Sequence, residues 1–238
     1  MIIFYYHPTP NPLKVALLLE ELAMPYDLVA VDTARGEQHL PAFRAVNPNG
    51  KVPVVIDTDG SDGKEIRVFD STAILLYLAE KFDRFLGAPA MRGDLLSWLM
   101  FIGTGVGPFS GQAVHFRRFA PVDLDYARNR YEAEMLRHYR ILDDRLKASP
   151  FLAGDSYTIA DMSLWGWIER AGFVLGKEEK ALDDFPGIRR WASEVEVRPA
   201  VARARKVGAA HPFKTEFDEE TRRALFPTSY PLDAQVPA

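Results

Sequence analysis

The spacing of apolar residues changes once along this chain, and that change limits the folds that are possible. As far as about residue 86, short β-prone runs alternate with segments of helical spacing. From residue 87 to about residue 207 the spacing is helical, with no convincing strand pattern. The first part follows the order βαβ, then a ββ hairpin, then α, which predicts a mixed sheet with helices packed on it. The sequence therefore predicts an α/β part followed by an all-helical part.

The α/β part has the outline of a thioredoxin-like domain, which we expect over residues 1–86. A linker is expected over 87–91 and an all-α helical domain over 92–207. Residues 208–238 are a polar C-terminal extension, and its phenylalanines predict that it is partly packed. The strands are expected at Ile2–Tyr6, 26–31, 52–56 and Ile66–Phe69.

The composition is ordinary for a globular protein, and it excludes several kinds of chemical site. The chain has 47% hydrophobic and 26% charged residues, and its net charge of −4 gives no reason to expect nucleic acid or an anionic membrane as partner. No apolar run is long enough to span a bilayer, and the start lacks a basic signal region, so we expect a cytoplasmic protein. The chain has no cysteine, which excludes disulfides, thiolate metal sites and a thiol nucleophile of its own. Sulfur chemistry would therefore need a ligand that supplies the sulfur.

The first strand is followed at once by a proline-rich loop and a helix start. Tyr6 ends the strand, and Thr9 and Asn11 lie between prolines where the helical spacing begins. Because a helix N-terminus favours an anion, a hydroxyl and an amide at this point indicate a site for a thiolate or another small anion. Threonine and asparagine are also common helix caps. These residues alone leave both interpretations open.

Three further motifs occur in order along the chain. Residues 48–53 read Pro-Asn-Gly-Lys-Val-Pro, residues 69–74 read Phe-Asp-Ser-Thr-Ala-Ile, and residues 154–161 contain a glycine followed by the capping box Thr-Ile-Ala-Asp. Each motif alone is weak, because Val-Pro is a common dipeptide and Asp-Ser often only caps a helix. Together and in this order, over residues 1–207, they resemble the cytosolic glutathione transferases. The resemblance implies a glutathione transferase fold and glutathione as co-substrate, with no metal.

The resemblance also implies roles for five residues. Pro53 would follow a cis peptide bond, and the backbone of Val52 would pair with the cysteinyl part of glutathione. Ser71 would bind the γ-glutamyl carboxylate and Asp70 would face the γ-glutamyl ammonium. Lys51 would face the glycyl carboxylate. Asp70 departs from the family, where glutamate is frequent at this position, so that contact would be one methylene shorter.

The segment from Tyr6 to Asn11 looks like the nu class of this family, which is bacterial and related to the prion-type nitrogen regulators. In that class a threonine and an asparagine lie beside the glutathione sulfur, which here would be Thr9 and Asn11. Gln38 resembles a glutathione-contacting glutamine of the class. The run from 107 to 116 resembles a segment that borders the open side of the site. The residues expected there, or reaching a second subunit, are Tyr6, Gln112, His115, Phe116 and Arg130.

The resemblance implies an enzyme that reduces disulfides with two glutathione molecules, as a homodimer. Two alternatives stay open: a transferase that conjugates glutathione to organic electrophiles, and a non-catalytic glutathione-binding regulator on the same fold. The sequence does not name the small disulfide or electrophilic substrate, nor does it explain the acid-rich extension.

Two tyrosines and two histidines near these motifs need separate interpretation. Tyr5 is expected to fill the core, whereas Tyr6 is an alternative thiolate stabiliser, and we leave its role open. His7 lies in a loop, where histidine is usually solvated, so we expect no catalytic role for it. His115 is expected to orient or pack against neighbours more readily than to transfer a proton.

Overall fold

A computed structural model describes residues 1–177 and 180–230. Within these residues four strands form one sheet with the order β2-β1-β3-β4. The strands are β1 (Ile2–Tyr6), β2 (Tyr26–Ala30), β3 (Val54–Asp57) and β4 (Ile66–Phe69). β1 pairs parallel with β2 and antiparallel with β3, which pairs antiparallel with β4. The predicted mixed sheet is confirmed. β3 begins two residues later than expected, because Pro53 has no N–H to donate to a ladder.

The alternation of β1 places its aromatic side chains on two faces. Phe4 and Tyr6 are buried, and Phe4 pairs in register with Val55 of β3. Tyr5 lies on the other face, where its ring meets the ring of Phe43 edge to face at 5.9 Å between centroids. It packs there against a buried cluster: Val31, Phe43, Val46, Val54 and Ile56. The expectation that Tyr5 fills the core is therefore confirmed.

The helices alternate with the strands at first and then follow one another directly. The first four are α1 (Pro10–Leu22), α2 (Pro41–Val46), α3 (Ser71–Lys81) and α4 (Arg92–Phe101). They are followed by α5 (Gly107–Val114), α6 (Asp125–Ala148), α7 (Ile159–Ile168), α8 (Ala171–Leu175), α9 (Pro186–Glu196), α10 (Pro199–Ala204) and α11 (Glu219–Leu225). None of the helices in the described residues has the length and apolar character that a membrane span requires.

The glycine-rich segment after α4 is wound as a π-helix. It covers Ile102–Val106, and a second π-helical segment covers His115–Phe119 after α5. The helical turns are therefore wider over both segments, a form that is rare in helices and frequent near functional sites.

The chain divides into two compact units. Of the described residues, one unit contains Met1–Pro8, Tyr26–Phe69 and 208–230, so it holds the sheet, α2 and α11. The other contains Thr9–Pro25 and Asp70–Val207, which groups α1 and α3 with the later helices. The domain boundaries at 86 and 92 stay predictions. Residues 231–238, the end of the predicted extension, lie outside the described residues.

In the helical unit, α1 packs closely on α7 at a single glycine. A Cβ atom on Gly166 would lie 2.3 Å from the carbonyl oxygen of Pro10 and 2.6 Å from Cγ of Lys14. These distances leave no room for a side chain. Gly166 therefore allows the first turn of α1 to approach the backbone of α7.

Candidate functional site

The start of α1 presents polar groups that the helix itself does not use. Thr9 is the N-cap, with extended backbone geometry (φ −118°, ψ 164°), yet its side chain makes no capping hydrogen bond and is exposed. Pro10 and Pro12 occupy the first and third helical positions and have no N–H to donate. Among these three positions only Asn11 has a backbone N–H. The donors at this helix start are therefore that N–H and the side chains of Thr9 and Asn11.

No acidic residue lies in the first turn of α1, so no carboxylate there neutralises the positive end of the helix dipole. Asn11 is half-buried, whereas Thr9 is exposed. This arrangement can stabilise a small anion with one amide, one hydroxyl and one backbone donor.

The start of α3 is held by an aspartate in an uncommon backbone conformation. Asp70 has φ +73° and ψ 126°, and its Oδ1 accepts hydrogen bonds from the N–H groups of Thr72 at 2.8 Å and Ala73 at 3.3 Å. A positive φ at a residue other than glycine costs on the order of 1–3 kcal/mol, and such residues cluster at functional sites. The Asp70 side chain is exposed, and Ser71, the first residue of α3, is buried. One carboxylate oxygen of Asp70 is thus committed to the helix.

The sheet unit holds the Val-Pro motif in the predicted conformation. The peptide bond between Val52 and Pro53 is cis, which confirms the expectation from the resemblance. Asn47 supports the preceding turn, because its Nδ2 donates to the carbonyl oxygen of Lys51 at 2.6 Å and its Oδ1 accepts from Asn49 N–H at 3.0 Å. Val52 is half-buried and Lys51 is exposed.

Gln38, also in the sheet unit, is engaged by the C-terminal extension. Its Nε2 donates to the carbonyl oxygen of Ala224 at 3.1 Å, and only 5% of the residue is exposed. Its Oε1 is buried and has no hydrogen-bond partner among the described residues. The structure thus places this predicted glutathione contact beneath α11.

The prediction that His7 is solvated is wrong, because the residue is buried. Its ring meets the ring of Phe213 edge to face, with centroids 4.9 Å apart, and its Nδ1 lies 3.1 Å from the carbonyl oxygen of Val31. Burial lowers the pKa of His7, against the opposing charges of Asp32 and Glu37. Tyr6 is buried as well, with its ring edge-on to that of Phe213 at 6.4 Å. Phe213, far along the chain, covers both residues.

Four of the predicted open-side residues lie along α5, the second π-helical segment and the start of α6, whereas Tyr6 ends β1. Phe116 stacks on Tyr131, with centroids 5.2 Å apart and planes within 5°. His115 is partly buried, and burial lowers its pKa. Gln112 and Arg130 are exposed, and Nη1 of Arg130 donates to Glu134 at 3.1 Å. The packing of Phe116 thus joins the second π-helical segment to α6.

Sequence reasoning missed Lys14, a charged residue inside the helical unit. Only 1% of it is exposed, and its Nζ lies 5.8 Å from the ring centroid of Trp167. Burial lowers the pKa of Lys14 to about 7, and the negative charge of Asp70 opposes that shift. A lysine inside the apolar run of α1 was the available signal.

Models of known protein families match both parts of the chain. A model of the N-terminal domain of glutathione S-transferases matches residues 9–81, and a model of the C-terminal domain matches residues 125–193. The disulfide-bond oxidoreductase YfcG of Escherichia coli is 39% identical over 206 residues, which cover 86% of this chain and 94% of that protein. This chain belongs to the glutathione S-transferase family.

Solved glutathione transferases have the same fold. One from Burkholderia graminis, with two glutathione molecules bound per subunit, has a TM-score of 0.79 and 36% identity, and the match covers 86% of this chain and 87% of that one. One from Pseudomonas putida, with one glutathione disulfide bound per subunit, has a TM-score of 0.79 and 33% identity over 87% and 91% of the two chains. The predicted family, fold class and enzyme class are confirmed.

Within this glutathione transferase the predicted site residues fall into separate groups. Thr9 and Asn11 begin α1, and Asp70 and Ser71 begin α3, which packs on α1 in the helical unit. The sheet unit carries Gln38 and the segment from Lys51 to Pro53. Among the described residues no cluster of three or more metal-ligating side chains is found. The polar groups at the two helix starts are suited to an anionic organic ligand.

Proposed function

We propose that this glutathione transferase binds glutathione, holds its sulfur as a thiolate at Thr9 and Asn11, and reduces disulfides with two glutathione molecules. The observation that carries the proposal is the Thr9 hydroxyl, which occupies an N-cap position but caps no backbone group. Relatives support the choice of chemistry: YfcG is named a disulfide-bond oxidoreductase, and solved neighbours contain two glutathione molecules or one glutathione disulfide.

The site must favour the charged form of the thiol. A thiol of cysteine type has a pKa of about 8.5, so only a small fraction is thiolate at neutral pH. Donation from the Thr9 hydroxyl and from Asn11, together with the positive end of the α1 dipole, stabilises S⁻ and lowers that pKa. The thiol proton leaves to solvent, so no base on the protein is needed.

Disulfide reduction then proceeds in two exchange steps. The bound thiolate attacks one sulfur of the substrate disulfide, which forms a glutathionyl mixed disulfide and releases the other substrate sulfur as thiolate. A second glutathione thiolate attacks the glutathionyl sulfur, which forms oxidised glutathione and releases the second substrate thiolate. Two glutathione molecules supply both electrons. The chain has no cysteine, so neither step passes through a protein mixed disulfide.

The γ-glutamyl end is assigned to the start of α3, remote from the sulfur. The Ser71 hydroxyl would donate to the carboxylate, and the exposed Asp70 carboxylate would attract the ammonium group. The other assigned contacts, Gln38, Lys51 and the Val52–Pro53 backbone, stay proposals that rest on the family resemblance. So do the open-side residues Tyr6, Gln112, His115, Phe116 and Arg130.

Thr9→Ala tests the proposal directly. Because a hydrogen bond to a charged group contributes about 1.5–3 kcal/mol, its loss should raise the pKa of the bound thiol by about 1–2 units. Ultraviolet titration of the bound thiolate measures that pKa. Turnover at pH 7 should fall and partly recover as the pH rises. Thr9→Ser keeps the hydroxyl and is the matched control; an unchanged thiol pKa in Thr9→Ala would refute the proposal.

Ser71→Ala separates binding from chemistry. It should raise the KM for glutathione by about 10- to 100-fold with little change in kcat, because the lost contact is present in ground and transition states alike. An unchanged KM with reduced kcat would contradict the assigned role.

A paired assay with a model disulfide and an aromatic halide decides between reduction and conjugation. Disulfide turnover, together with binding of oxidised glutathione, is expected. Turnover of the halide alone, with one glutathionyl unit bound, would favour a conjugating transferase, and glutathione binding without turnover would favour a regulator.

The assembly and the location of the enzyme are part of the same proposal. We propose a homodimer, and sedimentation at micromolar concentration should give twice the chain mass of 26.8 kDa; a monomer would refute it. A cytoplasmic location is also proposed, since a reducing compartment maintains the glutathione that the reaction consumes.

A further inference from the structure

The C-terminal extension is anchored to the loop that follows β2. The carbonyl oxygen of Ala224, in α11, accepts from Gln38 Nε2 at 3.1 Å and lies 2.8 Å from His39 Nε2. A Cβ atom on Gly36 would lie 3.5 Å from Cβ of Ala224, which is ordinary contact distance. We call residues 208–230 the strap. Its helix therefore packs directly on the loop backbone and engages two side chains.

The hydrogen-bond partners fix which atoms donate. Arg44 Nη2, which can only donate, lies 3.4 Å from His39 Nδ1, so Nδ1 accepts and Nε2 carries the proton. His39 Nε2 then donates to the Ala224 oxygen. Gln38 Nε2, which lies 3.2 Å from His39 Nε2, also donates to that oxygen, because the opposite orientation of the amide would place Oε1 against the Ala224 carbonyl oxygen. Two donors thus converge on one carbonyl, whose two lone pairs can accept both.

A second anchor lies ten residues earlier in the strap. The backbone N–H of Lys214 donates to Oδ2 of Asp32 at 2.8 Å, and the ring of Phe213 covers that of His7. Asp32 also accepts from the N–H of Ala34 at 3.0 Å, which fixes the turn before Gln38. The strap is therefore attached at both ends of the loop.

Attachment of the strap buries the Gln38 side chain and leaves one of its two polar atoms without a hydrogen-bond partner among the described residues. The Nε2 group is taken by Ala224, and Oε1 is buried with no partner among the described residues. A buried acceptor without a donor costs free energy, and a seven-residue helix such as α11 contributes little stability of its own. The attached state therefore has a cost that detachment of the strap removes.

From these contacts we infer that the strap is an autoinhibitory segment that competes with glutathione for the side chain of Gln38. The inference rests on the proposed function, in which Gln38 contacts glutathione. While the strap is attached, neither polar atom of Gln38 is accessible to a tripeptide. When the strap detaches, its amide can both donate to and accept from the peptide groups of the ligand. The apparent affinity is then lowered by the fraction of molecules in which the strap is attached.

Ala224→Trp in the full chain tests the inference, because an indole cannot fit against Gly36 and should detach α11. Calorimetric titration with oxidised glutathione should give at least about a threefold lower Kd. The matched control is Arg223→Trp, which adds the same side chain on the exposed face of α11 and should leave Kd unchanged. Phe213→Ala loosens the other anchor without added bulk and should also lower Kd. This second variant keeps the inference testable if Ala224→Trp does not fold.

Gln38→Met, made alone and together with Ala224→Trp, identifies the competing group. The substitution should weaken binding more when the strap is detached than when it is attached. An unchanged or higher Kd in both Ala224→Trp and Phe213→Ala, with binding retained, overturns the strap inference alone. If no variant and no wild-type protein binds oxidised glutathione, the proposed function fails and the inference fails with it.

Discussion

Two helices of the same unit begin at a threonine with nearly the same backbone geometry, and the two threonines behave differently. Thr158 starts α7 with φ −134° and ψ 178°, is fully buried, and accepts from the N–H of Ala160 at 3.3 Å. Thr9 starts α1 with φ −118° and ψ 164°, is exposed, and caps nothing. One hydroxyl is part of the structure, whereas the other remains available to a ligand.

The residues that follow each threonine explain the difference. A threonine cap accepts from the N–H of the second or third helical residue. After Thr158 these are Ala160 and Asp161, both with an N–H, and the Asp161 carboxylate accepts from Thr158 N–H at 2.9 Å to complete the capping box. After Thr9 the third residue is Pro12, which has none, and Asn11 at the second position has an N–H that the Thr9 side chain does not accept. Pro12 thus removes one of the two capping partners, and it cannot supply the carboxylate that completes the capping box at Thr158.

The buried charge near each helix start differs as well. Asp161 accepts hydrogen bonds from Leu152 N–H, Thr158 N–H, the Thr158 hydroxyl and Trp191 Nε1, all between 2.9 and 3.1 Å. Lys14 has instead the ring of Trp167 and the distant charge of Asp70. Burial disfavours both charges and raises the pKa of Asp161 to about 6, but only Asp161 has buried donors that its removal would leave without an acceptor. Substitutions at the two positions should therefore act in opposite directions.

The largest expected effect is that of Asp161→Ala. It leaves several buried donors without an acceptor, so the free energy of unfolding should fall by about 3–5 kcal/mol. Denaturant titration measures the loss, and Asp161→Asn, which keeps one acceptor oxygen, should lose less. A loss smaller than about 1 kcal/mol would show that the start of α7 is no better anchored than that of α1.

Lys14→Met should stabilise the protein at neutral pH. The pKa of Lys14 is about 7 in the folded state against 10.5 in the unfolded state, so stability is complete above pH 10.5 and is lost as the pH falls toward 7. The substitution should restore roughly 2–4 kcal/mol at pH 7 and progressively less as the pH approaches 10.5. Unfolding titrations at several pH values test this; a destabilised variant at pH 7 would contradict it.

The smallest expected changes in the free energy of unfolding are those caused by substitution of the two threonines themselves. Thr158→Ala should lower the free energy of unfolding by about 1–2 kcal/mol, because it removes a buried cap. Thr9→Ala should change it by no more than about 0.3 kcal/mol, since its hydroxyl caps nothing. The same denaturant titration measures both. Equal losses would mean that Thr9 has a structural role that its contacts do not reveal.

Features set by neighbouring residues could be predicted from the sequence. The capping box at Thr158 and the alternation that packs Tyr5 against the buried cluster depend on a few adjacent residues, whereas the cis bond before Pro53 was implied by the family resemblance. The helix α2 was missed because its six residues are too few for helical spacing to be recognised.

Features set by distant residues could not be predicted in this way. His7 is covered by Phe213, about two hundred residues later, and a loop histidine gives no local sign of such a cover. Gln38 is engaged by Ala224 in the same manner. The low pKa of Lys14 follows from its burial beside Trp167 of α7, which the apolar spacing of α1 alone does not reveal.

The close approach at Gly166 also determines where this enzyme can vary. A methyl group there would meet the carbonyl oxygen of Pro10, so even alanine would displace the first turn of α1. Thr9 comes one residue before Pro10, so the position of its exposed hydroxyl depends on that first turn. Position 166 is therefore restricted to a single amino acid, although it lies on a different helix from the threonine that it helps to position.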